Sequence, residues 1–167
     1  YAAELEKRFG PFYTKGLPAD TSALDNDVLD EGEFLAQDDQ VLEESRAMLE
    51  YELKRFDSGL LFYYISSTDQ RQHMFWRLLH EKHPMYDPAL AAVYGGTIER
   101  IYRETDDILA QALAAIDKDT TVIVLSDHGF NPFYRCFNLN AWLKAEGYHV
   151  FANPFKKEER GLGFPST

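Results

Sequence analysis

Apolar residues follow two different patterns along this chain. Two short, almost uninterrupted apolar runs, residues 60–65 and 121–125, have the length and composition of strands that are buried on both faces, as in a parallel sheet. Elsewhere the apolar positions recur about every 3.6 residues, which is typical of amphipathic helices. From this spacing and from capping residues we predict helices over residues 2–9, 40–56, 70–80, 88–116 and 139–146.

Capping and helix-breaking residues set the limits of these helices. Gly10 ends the first helix, and Asp38 and Asp39 can cap the second. Two adjacent glycines at positions 95 and 96 indicate a break between two helices within residues 88–116. Residues 13–30 contain Gly16, Pro18, Ser22, Asn26 and several Asp, which predicts a surface loop with at most one helical turn.

The order of the elements predicts an α/β fold. An apolar run, a long helical crossover and a second apolar run make a βαβ unit, in which the strands are parallel and the connection is right-handed. We therefore expect a single α/β segment with a partial parallel sheet and βαβ crossover helices. Residues 1–57 would form a mostly helical lead-in and loop, residues 58–151 the βαβ core, and residues 152–167 a loop.

Composition and charge exclude several classes of function. The 167 residues are 45% hydrophobic and 14% aromatic, enough for a substantial core. A formal charge of -11 argues against unassisted binding to nucleic acid or to an anionic membrane. No stretch approaches the roughly 18 apolar residues of a membrane span. An acidic protein with an anionic substrate needs local positive charge, and a bound metal ion can supply it.

Polar residues that can bind a metal follow both apolar runs. Asp69 and His73 come after the first run and are one helical turn apart, a spacing that lets two side chains share one ion. Asp127 and His128 come directly after the second run and can converge where the backbone bends. Parallel strands end at the same edge of a sheet, so we expect all four side chains in one cleft. Carboxylate and imidazole ligands without thiolates suit zinc or a similar divalent ion in a catalytic site.

Other interpretations of these residues are simpler. By itself, Asp69 can be a helix cap and His73 an exposed side chain. For the whole chain, the alternative is a metal-free acidic α/β domain used for protein interaction. A serine triad is excluded, because three contiguous residues, Ser-Asp-His at positions 126–128, cannot form a linear hydrogen-bond relay.

Two stretches of the sequence carry a family resemblance. They are TVIVLSDHGF at 121–130, followed by FNLNAWLKAEGY, and STDQRQHMFW at 67–76, followed by HPMYDP. Together they resemble the alkaline phosphatase superfamily, in particular its type I phosphodiesterase and nucleotide pyrophosphatase branch. This resemblance implies a hydrolase that cleaves phosphate esters with two divalent metal ions, usually zinc. It further implies that Asp69 and His73 hold one metal and that Asp127 and His128 hold the other. Sulfatases, mutases and phosphotransferases of the same superfamily are the alternatives.

Three features of that family have no counterpart that we can identify in this sequence. They are an earlier strand with a metal-binding Asp, a Ser or Thr nucleophile at a helix start, and a later His. We therefore assign no catalytic nucleophile and expect the chain to be an internal segment of a larger catalytic domain. As such it would be inactive and would bind zinc weakly or not at all. In the full-length enzyme the substrate would be a small-molecule phosphate ester.

Overall fold

A computed structural model describes residues 1–149, and every regular element within them is helical. The helices are α1 (Ala2–Phe9), α2 (Thr21–Asp25), α3 (Glu31–Leu53), α4 (Ser66–Phe75), α5 (Pro88–Tyr94), α6 (Thr97–Ala115) and α7 (Leu139–Ala145), and a 3₁₀ helix, Trp76–Leu79, follows α4. The chain divides into two compact units, one over Tyr1–Pro132 and one that begins at Phe133. None of the helices among residues 1–149 is long and apolar enough to cross a membrane.

Most of the predicted helices are present. The first, α1, has the predicted bounds, and the loop over residues 13–30 contains the short helix α2. The predicted long helical segment is a pair, α5 and α6, which is divided at Gly95 and Gly96 as expected. Gly95 is required by packing as well, because a Cβ there would lie 2.5 Å from the carbonyl oxygen of Ala91.

The start of α3 differs from the prediction. The helix begins at Glu31, where Asp30 and Glu33 form a reciprocal capping box. This cap satisfies two backbone N–H groups at once. Asp38 was expected to cap a later start, but it lies inside the helix, fully buried and paired with Arg71. A buried carboxylate with a charged partner is stable within a helix, so α3 extends through it.

Two apolar clusters lie between the helices of the first unit. The buried members of the first cluster are Ala19, Phe34, Leu35, Phe75, Leu78 and Ile98. The buried members of the second are Leu42, Leu49, Leu53, Ile101 and Ile108. The core is therefore formed chiefly by α3 and α6, and α4 contributes only Phe75 to these buried sets.

The predicted partial parallel sheet is wrong: none of residues 1–149 lies in a β-strand. Along residues 60–65, alternate side chains do face opposite ways, as they would in a strand. One set packs against the second cluster: Leu61, Tyr63 and Ile65. The other set is exposed: Leu60, Phe62 and Tyr64. The run thus has the side-chain alternation of a strand without a paired neighbour.

The second predicted strand is also absent, so the βαβ crossover is wrong as well. The side chains of Ile123, Val124 and Leu125 are 75%, 75% and 73% exposed. A strand requires a lateral partner for its backbone N–H and C=O groups, whereas an apolar, β-branched composition indicates only a preference for such pairing. Neither run pairs with the other within the described residues, and this is why the composition misled the prediction.

The second unit contains α7, which agrees with the predicted helix over 139–146 to within one residue. Asn138 caps it, as its side chain accepts a hydrogen bond of 2.9 Å from the backbone N–H of Ala141. After the helix, Gly147 adopts a positive φ of 79°, which glycine tolerates best. The loop predicted over residues 152–167 lies outside the described residues.

Candidate metal centre

Buried ion pairs fix the position of α4, the helix that carries the first predicted metal motif. Arg71 is fully buried, and its guanidinium donates hydrogen bonds to three carboxylates. Its Nε donates to Asp38, its Nη2 donates to Asp39 over 2.7 Å, and its Nη1 donates to Glu104 over 3.0 Å. A guanidinium is planar and its five N–H donors have fixed directions, so three carboxylates around it restrict it to one orientation. These contacts tie α4 to both α3 and α6.

Other polar side chains of α4 are buried and satisfied. Gln70 bonds both backbone groups of Ala19, accepting from its N–H over 3.3 Å and donating to its carbonyl oxygen over 2.6 Å. Ser67 donates to Asp38 over 2.9 Å. Since each hydrogen bond is directional, the set fixes the rotation of α4 about its axis as well as its position. The sequence does not reveal these residues, because their partners are distant along the chain.

Asp69 and His73 lie one turn apart on α4 and face the same way, as their spacing predicts. The Nε2 atom of His73 is 3.4 Å from Oδ1 of Asp69. Asp69 is in the first turn of the helix, where the helix dipole stabilises a carboxylate. The His73 side chain is 54% exposed and that of Asp69 is 21% exposed, so solvent reaches the pair.

His128 joins this pair from the loop after α6. Its Nε2 atom is 3.5 Å from the same Oδ1 atom of Asp69. The local backbone holds the imidazole, since its Nδ1 is 3.2 Å from the carbonyl oxygen of Gly129. A carbonyl oxygen can only accept, so this bond requires Nδ1 to carry the proton. In the neutral ring, Nε2 then has its lone pair free and directed at the cluster.

The donor set and its spacing fit a divalent cation. One oxygen of Asp69 and one nitrogen each from His73 and His128 all lie within 4.8 Å of one another. The two distances of 3.4 and 3.5 Å are close to the edge, about 3.3–3.6 Å, of a tetrahedron with metal–ligand bonds of about 2.0–2.2 Å. Two imidazoles and one carboxylate form a set that catalytic zinc accepts, with a fourth position open.

Asp127, the fourth predicted ligand, lies beside this cluster and outside it. Its side chain is 88% exposed, and its Oδ2 atom is 3.7 Å from Nε2 of His128. Its Oδ1 atom accepts a hydrogen bond of 3.1 Å from the backbone N–H of His128. The structure therefore brings three of the four predicted residues together, with Asp127 as their neighbour.

Tyr64 is a neighbour of the site, although the apolar run over residues 60–65 predicted a buried position for it. Partial burial raises the pKa of its hydroxyl above the usual value, and the nearby carboxylates of Asp69 and Asp127 add to the rise. The hydroxyl thus keeps its proton at neutral pH and can donate a hydrogen bond. The alternation of side chains along residues 60–65 could have identified it: if Tyr63 packs against the core, Tyr64 must face away from it.

Two aromatic rings beside the imidazoles were missed as well. Phe130 contacts the rings of both His73 and His128, and it stacks on Trp76. The Trp76 ring also packs partly against the first apolar cluster. The three-residue spacing from His73 to Trp76 places them on one face of the chain, a signal the sequence already contained.

Comparison with known proteins identifies the family. The sequence profile of the type I phosphodiesterase / nucleotide pyrophosphatase family matches residues 7–160. No individual curated protein and no solved structure matches the chain significantly. The profile match includes Asp69, His73, Asp127 and His128 and leaves out only short segments at the two ends. The chain therefore belongs to the type I phosphodiesterase / nucleotide pyrophosphatase family.

Proposed function

We propose that this chain is part of a metal-dependent hydrolase that cleaves phosphate esters, and that Asp69, His73 and His128 bind one divalent cation. Family membership supports phosphate-ester hydrolysis, and the family is typically metal-dependent. The observation that carries the metal assignment is the convergence of three ligand atoms within 4.8 Å, contributed by two separate parts of the chain. Zinc suits two imidazole nitrogens and one carboxylate oxygen best among the common divalent ions.

The charge of the protein supports the same proposal. A formal charge of -11 repels an anionic phosphate ester unless positive charge is present locally. A bound divalent cation would supply that charge and polarise a phosphoryl oxygen as a Lewis acid. Around it, the half-exposed imidazoles leave room for a substrate.

The family resemblance assigns Asp127 to a second cation together with His128. If Nε2 of His128 binds the first cation, the exposed carboxylate of Asp127 would need other ligands, and none of the other described side chains joins it in a group of three. We assign no nucleophile to this chain. We expect weak zinc binding, because ligands of the family's site were not identified in this chain, and no turnover of phosphate esters by the chain alone, because it lacks an assigned nucleophile.

Calorimetric titration with zinc chloride tests the proposal. The wild-type chain should bind zinc, and Asp69→Asn or His73→Ala should weaken the tightest binding by at least about a hundredfold, since each removes a direct ligand. Asp106→Asn, an exposed carboxylate on α6, is the matched control and should leave zinc binding unchanged. Absence of zinc binding by the wild-type chain would refute the proposal and favour a metal-free interaction domain.

A further inference from the structure

Phe130 lies against both imidazoles of the candidate cluster. Its ring centroid is 4.8 Å from that of His73 and 5.2 Å from that of His128, with interplanar angles of 78° and 63°. Both arrangements are of the T-shaped kind that aromatic rings prefer. The two imidazoles themselves are 6.2 Å apart, so a single phenyl ring contacts each of them.

Trp76 connects this phenyl ring to the core. The Trp76 indole stacks on Phe130 with a centroid distance of 5.8 Å and an interplanar angle of 26°. Trp76 also packs against the first apolar cluster, directly after the fully buried Phe75. Phe130 is thus supported from behind by a side chain that the core holds in place.

Both imidazoles are half exposed, and within the part of the chain that the structure describes only that of His128 has a hydrogen bond to the local backbone. The side chains of His73 and His128 are 54% and 48% exposed, and the imidazole of an exposed histidine can rotate among several orientations. A metal ion binds only when both Nε2 atoms point toward Asp69. Any contact that restricts the rings to that orientation before binding therefore lowers the entropic cost of binding.

We propose that Phe130 is a positioning residue for the cation site, and that its ring holds the imidazoles of His73 and His128 with their Nε2 atoms directed at Asp69. This inference rests on the proposed function, since it concerns the same site. Phe130 touches neither substrate nor metal in this role and acts through the two histidines. Neighbours that orient ligands in this way commonly account for a tenfold to hundredfold share of metal affinity.

The test compares zinc affinity with stability in variants of the full chain. Zinc chloride is titrated calorimetrically into wild type, Phe130→Ala, Phe130→Leu and Phe130→Tyr, and the thermal midpoint of each metal-free protein is recorded. Phe62→Ala is the matched control, because Phe62 is 73% exposed in the same unit. A Trp142→Phe background leaves Trp76 as the single indole, and its fluorescence reports whether zinc alters the ring stack.

We expect Phe130→Ala to weaken zinc binding about tenfold and Phe130→Leu to weaken it severalfold, while Phe130→Tyr and Phe62→Ala stay within twofold of wild type. Trp76 emission in the Trp142→Phe protein should stay unchanged when zinc is added, because the stack of Phe130 on Trp76 is already formed before binding. Wild-type affinity in Phe130→Ala would overturn the inference while leaving the proposed function intact. If Phe130→Ala does not fold, wild-type affinity in Phe130→Leu would overturn it equally. Failure of the wild-type chain to bind zinc would instead refute the proposed function.

Discussion

The Nε2 atom of His128 lies 3.5 Å from Oδ1 of Asp69, although helices α5 and α6 separate the two residues in the sequence. The Nε2 atom of His73 approaches the same oxygen to 3.4 Å. Two imidazole nitrogens and one carboxylate oxygen at this spacing form a ligand set that suits a divalent cation. The three residues would then act as a single unit in binding it.

Asp127 should affect zinc binding differently from this unit. We expect Asp127→Ala to change the zinc affinity by less than about tenfold, because Asp127 is 88% exposed and stands outside the group of Asp69, His73 and His128. Calorimetric titration with zinc chloride measures this affinity. Loss of zinc binding in Asp127→Ala would contradict this arrangement.

Arg71→Ala should destabilise the chain strongly. The substitution leaves Asp38 buried without its charged partner, which commonly costs about 3–5 kcal/mol in the free energy of unfolding. Urea denaturation measures this loss. Arg103→Ala is the matched control, because Arg103 pairs with Glu99 on the exposed surface of α6, and its midpoint should stay at the wild-type value. A loss below about 1 kcal/mol for Arg71→Ala would show that the buried network does not hold α4.

Stability should fall in alkaline solution partly because of Tyr63. Burial raises the pKa of its phenol above 10.0, and the hydrogen bond from Ser45 only partly opposes this rise. The unfolded phenol loses its proton near pH 10.0, whereas the folded one keeps it, so the contribution is fully present below that pH and is lost as the pH rises toward the folded value. The urea midpoint should therefore fall less between pH 8 and a pH above 10 in Tyr63→Phe than in wild type. An equal fall in both proteins would contradict the assignment.

The capping box of α3 should make a measurable contribution to stability. Asp30→Ala removes the acceptor for the N–H of Glu33 and should lower the free energy of unfolding by about 1 kcal/mol. Asp30→Asn keeps a capping oxygen and should restore most of the loss. Urea denaturation of the three proteins tests this, and equal stability of Asp30→Ala and wild type would show that the cap is dispensable.

The helices could be predicted because their signals are local. Spacing near 3.6 residues, the glycines at 95 and 96 and the Asn138 cap each act within a few positions, and the corresponding elements were found. The prediction of the sheet was wrong because its signal is not local: a strand needs a paired neighbour, which its own residues do not encode. The predicted capping role of Asp38 was wrong for a similar reason, since its burial depends on a partner, Arg71, that is distant in sequence.

The candidate site was predictable in part. The pair Asp69 and His73 follows from helical spacing alone, and the structure places it as expected. The approach of His128 was anticipated, but through a sheet edge that the described residues do not form. Phe130 could not be identified from sequence, because its importance depends on two imidazoles that only the fold brings to it.

The way α4 is anchored has a consequence for how the protein tolerates change. Apolar contacts are not directional, so a helix packed only by them can shift or rotate slightly with little loss of free energy. The directional hydrogen bonds from Arg71 to three carboxylates oppose such a shift of α4. Truncation of a buried apolar side chain in the surrounding core, for instance at Leu78, should therefore lower the stability of the protein while leaving the orientation of Asp69 and His73 unchanged.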